Sequence, residues 1–174
     1  VTCVMGNHDA FLLDDSLIKN YTKEPWFEDT IKWCHSRLNS EDLAFIRSFQ
    51  PTVKIPLGGG DTLLAYHGSP ESNTDNIFAT TPKDELNLML NGHRSAVMIG
   101  GHTHVQMIRQ HKGHLLVNAG SVGMPFEEMP FTKAPRMMPW AEYAIVEWRK
   151  GVISVDLRRI PLDLNLVKLA GIES

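Results

Sequence analysis

Ala96-Val97-Met98-Ile99-Gly100-Gly101-His102-Thr103-His104 decides how this chain is read. Its first four residues are an apolar run of strand length, and two glycines and a His-x-His pair follow at once. The pattern recurs twice. Val1–Met5 leads into Gly6-Asn7-His8-Asp9, and Thr62–Tyr66 leads into His67-Gly68-Ser69-Pro70. Each time an imidazole falls at the carboxyl end of an apolar strand beside a glycine, which lets the backbone turn without side-chain obstruction. In open α/β sheets ligands bind at that end of the strands. Three segments therefore aim imidazoles and one asparagine oxygen at a common edge. Imidazole mixed with oxygen donors suits Zn, Mn, Fe or Ni. Such a site can hold two cations about 3.5–4 Å apart, and a histidine left off the metal can protonate a leaving oxygen. Each segment alone has an ordinary reading: a lone strand-end histidine is usually a hydrogen-bonded structural residue, and Gly-Asn-His-Asp is composed like a turn. Together, at the same kind of strand end, they point to a site.

The remaining elements follow from periodicity. Apolar groups at Phe27, Ile31, Cys34 and Leu38 have helical spacing, with Trp26, Phe27 and Trp33 expected to pack that helix. Ser40 is the expected cap of a helix over Glu41–Phe49, closed by Pro51. Val53–Leu57 and Thr62–Tyr66 flank Gly58-Gly59-Gly60-Asp61, a hairpin signal. Thr81 as cap and Pro82 at the first helical position open a helix running to Leu90. Val105–Arg109 pairs with Leu115–Asn118 across Lys112-Gly113, and Tyr143–Trp148 pairs with Val152–Arg159 across Arg149-Lys150-Gly151. Met124–Met138 is rich in Pro and Met and reads as a long loop. Strands interleaved with helices, then antiparallel hairpins, predict a mixed α/β sheet architecture in a single domain over 1–174.

The bulk properties exclude more than they assign. The 174 residues are 43% hydrophobic and 21% charged, with a net charge of −3, ordinary for a globular chain. No basic cluster suggests a nucleic-acid surface. No apolar run approaches the roughly 20 residues that span a bilayer, and no secretory leader is visible. Cys3 and Cys34 form no disulfide framework and read as two reduced core thiols of a cytoplasmic protein. His35, His93, His111 and His114 read as solvent-facing or locally bonded. The sequence opens on Val1, inside a strand, so an upstream part is expected.

The motif series Gly6-Asn7-His8-Asp9, His67-Gly68-Ser69-Pro70, Gly101-His102-Thr103-His104 and Asn118-Ala119-Gly120-Ser121-Val122-Gly123 resembles the calcineurin-like metallophosphoesterase superfamily, in particular its small bacterial and archaeal predicted phosphodiesterase branch. The stretches Ile31–Leu38, Ser40–Leu43, Phe49–Pro51 and Arg159–Asp163 resemble that branch too. The resemblance implies a two-sheet αββα sandwich of which this chain is the C-terminal two-thirds. It implies two divalent transition-metal ions (Mn, Fe, Ni or Zn), with Asn7, His67 and His102 on one, His104 on the other, and His8 as the acid or charge stabiliser. The implied activity is metal-dependent hydrolysis of a small phosphoester substrate, as a phosphodiesterase or a phosphomonoesterase. Its departures matter. The family's Asp-x-His and Gly-Asp-x-x-Asp motifs, with the bridging carboxylate, do not occur before Gly6. Roughly 60 residues would hold them. Without them this stretch alone is expected to be inactive and to expose an unpaired sheet edge. Ala119 stands where the branch has Pro, and Phe126 where an Arg is usual. The alternative is a non-catalytic metallophosphoesterase-like scaffold that binds protein partners.

Overall fold

Residues 1–127, 136–163 and 165–166 are described by the computed structural model. In chain order its elements are α1 (Asn7–Leu13), a 3₁₀ turn (Asp15–Leu17), α2 (Ile18–Tyr21), α3 (Pro25–Ser36), α4 (Ser40–Arg47), β1 (Val53–Gly58), β2 (Asp61–Ala65), α5 (Lys83–Leu90), β3 (Val97–Gly100), β4 (Met107–His111), β5 (His114–Asn118), β6 (Trp140–Arg149) and β7 (Val152–Pro161).

Strands β1 to β5 form one sheet in the order β1-β2-β3-β5-β4. Its centre, β2-β3-β5, is parallel, and β1 and β4 add antiparallel edges. Side chains alternate across a strand, and here neighbouring residues divide between two cores. Leu64, Met98 and Leu116 face Leu86 and Leu90 of α5, together with Ile77 and Met107. Leu63, Val97 and Val117 face Ala144, Val146, Ile153, Val155 and Leu157 of the β6–β7 hairpin. The result is a helix layer, a five-stranded sheet and a second, two-stranded sheet: the α/β two-sheet sandwich the motifs predict. Among the described residues β6 and β7 pair only with each other. A third cluster, Phe11, Ile18, Phe27 and Ile31, joins α1, α2 and α3 beside the sheet.

Several local expectations are corrected. Val1–Met5 is not a strand of a sheet. It makes one parallel bridge, Val4 to Gln50, held by Met5 N–H to the Gln50 carbonyl at 2.8 Å and Gln50 N–H to the Cys3 carbonyl at 3.0 Å. Helix α4 is capped by Asn39 rather than Ser40: its side-chain oxygen accepts from the N–H groups of Glu41 (2.8 Å) and Asp42 (3.1 Å), and Asp42 accepts in return from the N–H of Asn39 (2.9 Å). That reciprocal pair satisfies donors the helix leaves open. Asn39→Ala is expected to lower stability by about 1 kcal/mol, and an unchanged urea midpoint would refute the cap's role. Thr81 does not cap α5, because its hydroxyl accepts from Phe78 N–H at 2.8 Å. Trp26 and Trp33 do not pack their helix; they are 62% and 47% exposed, whereas Phe27 is buried. Cys3 and Cys34 are free thiols, each half-buried rather than core. Of the expected loop Met124–Met138, residues 128–135 lie outside the described residues, and Phe126 and Met137 pair across it.

Candidate functional site

The parallel strands β2, β3 and β5 run in register, Ala65 beside Ile99 and Ile99 beside Val117, so their carboxyl ends are level. There the structure gathers the expected residues. His67 follows β2, and its Nε2–H donates to Asn7 Oδ1 at 3.0 Å. Its ring lies 5.2 Å from that of His102, centroid to centroid. His102 and His104 both take left-handed backbone, φ 59° and 58°. The loop holding them is fixed by Asn118 at the end of β5, whose side-chain NH₂ donates to the Gly101 carbonyl (2.6 Å) and to Thr103 Oγ1 (2.9 Å). His104 Nδ1–H donates to the Met124 carbonyl at 2.8 Å, and its ring stacks on Phe126 at 5.1 Å.

His8 does not sit in a turn. Asn7 begins α1, so His8 lies in the first helical turn, its ring 5.1 Å from Phe27 and 6.0 Å from Phe11. Asp9 sets this start: its Oδ2 accepts from Gly6 N–H at 3.0 Å. An acid three residues after the glycine is the sequence signal for this helix start. Tyr21 closes one side, its ring 6.3 Å from that of His102.

The electrostatics are dominated by burial and by mutually repelling bases, with Asp9, Asp75 and Glu142 each pulling upward on one of them. His67 and His102 are each pushed down to about 4, first by burial and then by neighbouring histidines. His8 is lowered by burial and by His104, against a small upward pull from Asp9. His104 is lowered by burial, partly offset by its Met124 bond and by Glu142. The nearby carboxylates are engaged elsewhere. Asp9 caps α1, Asp75 accepts from Ser69 Oγ at 2.7 Å, and Glu142 Oε1 accepts from Arg159 Nε (3.0 Å) and Trp140 Nε1 (2.9 Å).

This overturns the expected metal chemistry. Among the described residues no group of three or more His, Cys, Asp or Glu side chains is placed to hold a metal ion. Asn7 and His67, expected on one cation, are bonded to each other, and the nearby carboxylates of Asp9, Asp75 and Glu142 are each held by other partners. The two transition-metal ions, the dinuclear hydrolytic mechanism and the small phosphoester substrate are corrected accordingly: the donor set does not fit them. The other histidines are locally bonded where partners are seen: His93 to Glu71 (2.8 Å), His111 to Asn87 (3.0 Å) and His114 to the Ser95 carbonyl (2.9 Å). Sequence reasoning assigned no role to Asn118 or Glu142. The Asn118–Gly123 motif signalled the first, and nothing signalled the second.

A two-sheet sandwich with histidine-bearing loops at the carboxyl ends of parallel strands defines the metallophosphoesterase fold. The family description "Calcineurin-like phosphoesterase superfamily domain" matches residues 1–138, and the chain belongs to that superfamily. No curated protein matches it. Among solved structures it is similar to a hypothetical protein from Pyrococcus horikoshii OT3, with a TM-score of 0.75 and 14% identity, over 98% of this chain and 66% of that one. It is also similar to a metallophosphoesterase from Sphaerobacter thermophilus, with a TM-score of 0.68 and 22% identity, over 97% of this chain and 71% of that one. Vps29 from Chaetomium thermophilum matches with a TM-score of 0.46 and 12% identity, over 69% of this chain and 64% of that one. The chain thus spans slightly less than two-thirds of the Pyrococcus protein's length.

Proposed function

We propose that this domain, residues 1–174, is a non-catalytic metallophosphoesterase-like scaffold that binds protein partners. The observation that carries the reading is the composition of the strand-end cluster: imidazoles facing one another, Asp9 and Asp75 hydrogen-bonded elsewhere, Glu142 paired with Arg159, and no metal-holding group of three or more His, Cys, Asp or Glu side chains among the described residues. Asn7, His8, His67, His102 and His104 then serve as neutral packing and hydrogen-bonding groups. They tie α1, the end of β2 and the Gly101–Phe126 loops into one rigid end. Exposed Trp26, Trp33, Phe45 and Tyr21 support a binding role, because aromatic side chains anchor protein interfaces. Among the described residues no helix is long and apolar enough to cross a membrane. Two free cysteines agree with a cytoplasmic setting.

The test is titration calorimetry of the purified domain with manganese and zinc salts, together with hydrolysis of bis(p-nitrophenyl) phosphate and p-nitrophenyl phosphate. Neither stoichiometric metal uptake nor metal-stimulated turnover is expected. Turnover that disappears in His104→Ala would overturn the scaffold reading.

A further inference from the structure

Behind the α1 face that carries His8, a second concavity opens between the end of α1, the 3₁₀ turn and α3. It encloses about 380 Å³, the lower range for binding pockets. Its floor is apolar: Phe11 and Ile31 are each 3% exposed, and Leu12 and Leu13 are half-buried beside them. Asp14 and Asp15 stand exposed at one rim, with Lys32 and His35 at the other.

The charges at the rim are unequal. Lys32 Nζ lies 2.7 Å from Glu28 Oε1 one helical turn away, so its charge is already matched. Asp14 Oδ1 accepts from Ser16 N–H (3.0 Å) and Ser16 Oγ–H (2.6 Å). Those neutral donors fix the carboxylate without cancelling its charge. Asp15 lies within electrostatic reach of Lys32, whose ammonium is already bound to Glu28. The mouth therefore presents two carboxylates above an apolar floor. The floor residues Phe11 and Ile31 belong to a packed cluster with Ile18 and Phe27, so the cavity is preformed and an occupant need not order it.

We propose that this groove is a peptide-docking site of the scaffold, taking a partner segment that presents one apolar side chain followed directly by basic ones. The apolar side chain fills the cavity over Phe11, Leu13 and Ile31, and the basic side chains reach Asp14 and Asp15. The site rests on the scaffold reading and names the chemistry of its partner.

The test uses ¹⁵N-labelled domain and three blocked five-residue peptides with terminal glycines: leucine then two arginines, leucine then two glutamates, and serine then two arginines. The leucine–arginine peptide is expected to shift the amides of Leu12, Leu13, Asp15, Ile31 and Lys32 in a saturable way. The other two peptides should bind at least about tenfold more weakly, a difference of about 1.4 kcal/mol. Asp15→Lys, an exposed substitution whose spectrum reports folding directly, should reverse the preference toward the glutamate peptide. Equal binding of all three peptides, shifts centred on His67 and His102 instead, or no shift at millimolar peptide would each overturn the groove. Failure here with no metal-stimulated hydrolysis removes the groove and leaves the scaffold, whereas hydrolysis removes the scaffold itself.

Discussion

Acidification from pH 7 to pH 4 is expected to remove about 4 kcal/mol of the domain's stability, about 2 kcal/mol through each of His67 and His102 once partial solvation of the cleft is allowed for. In the unfolded chain both imidazoles bind protons near 6.5; in the folded domain they do so only near 4. Between those values the unfolded state holds more protons, so stability rises with pH. The contribution is complete above 6.5 and is lost as the pH falls through 4. The cause is local. Protonation puts two cations whose ring centroids are 5.2 Å apart into a largely buried cleft, where the upward pull of Asp75 and the Thr74 backbone on His102 is outweighed. Urea unfolding at pH 7, 5.5 and 4 measures the loss. The double variant His67→Gln, His102→Asn isolates it, since asparagine tolerates the left-handed backbone of position 102. If wild type and double variant lose stability equally, the imidazoles are not the source.

Gly120→Ala is expected to destabilise the domain by at least about 3 kcal/mol, from left-handed backbone strain and a collision that the core cannot relax. Gly120 has φ 83°. A methyl group there would run into Glu142 Oε2 and Cβ and into the Gln106 side chain. Glu142 cannot swing away. It is 4% exposed, and its other oxygen is held by Arg159 and Trp140. Its Oε2 has no hydrogen-bond partner among the described residues, so the carboxylate fills the space under Gly120 without a compensating donor. Adding Glu142→Ala to Gly120→Ala removes the Oε2 collision and should therefore recover at least about 1 kcal/mol, leaving behind the backbone strain and the contacts with the Cβ of position 142 and with Gln106. Strictly additive losses in the double-mutant cycle would refute the contact.

The layers were legible because they obey a period of two. Leu63-Leu64, Val97-Met98 and Leu116-Val117 are apolar on both faces, the mark of a strand buried between two layers, and a glycine, Gly100, ends the middle one. The start of α1 was harder. Asn7 and Asp9 are turn-formers by type, and the signal for a helix is the Asp9 carboxylate reaching back to the Gly6 N–H. The two exposed tryptophans show the limit of spacing alone: helical periodicity places Phe27 and Ile31 on a buried face, but not which flanking aromatics share it. At the site, residue types and strand ends were readable while the donor set was not. Whether an asparagine oxygen faces a cation or a neighbouring imidazole depends on side-chain directions from three separate segments, and no single segment carries that information.

The β6–β7 hairpin has a mechanical consequence. No backbone ladder among the described residues joins it to the larger sheet. It is held by greasy contact along its middle and by polar rivets near its two ends. At one end the Gln106 side chain donates to the Tyr143 and Arg158 carbonyls (3.2 and 3.1 Å), and at the other Trp148 Nε1–H donates to Asp61 Oδ2 (2.9 Å). A strap fastened in this way resists sliding along its length, because any slip must shear both rivets together. It resists lifting at mid-span only through apolar adhesion. The two leaves of the sandwich can therefore breathe at the centre without losing register.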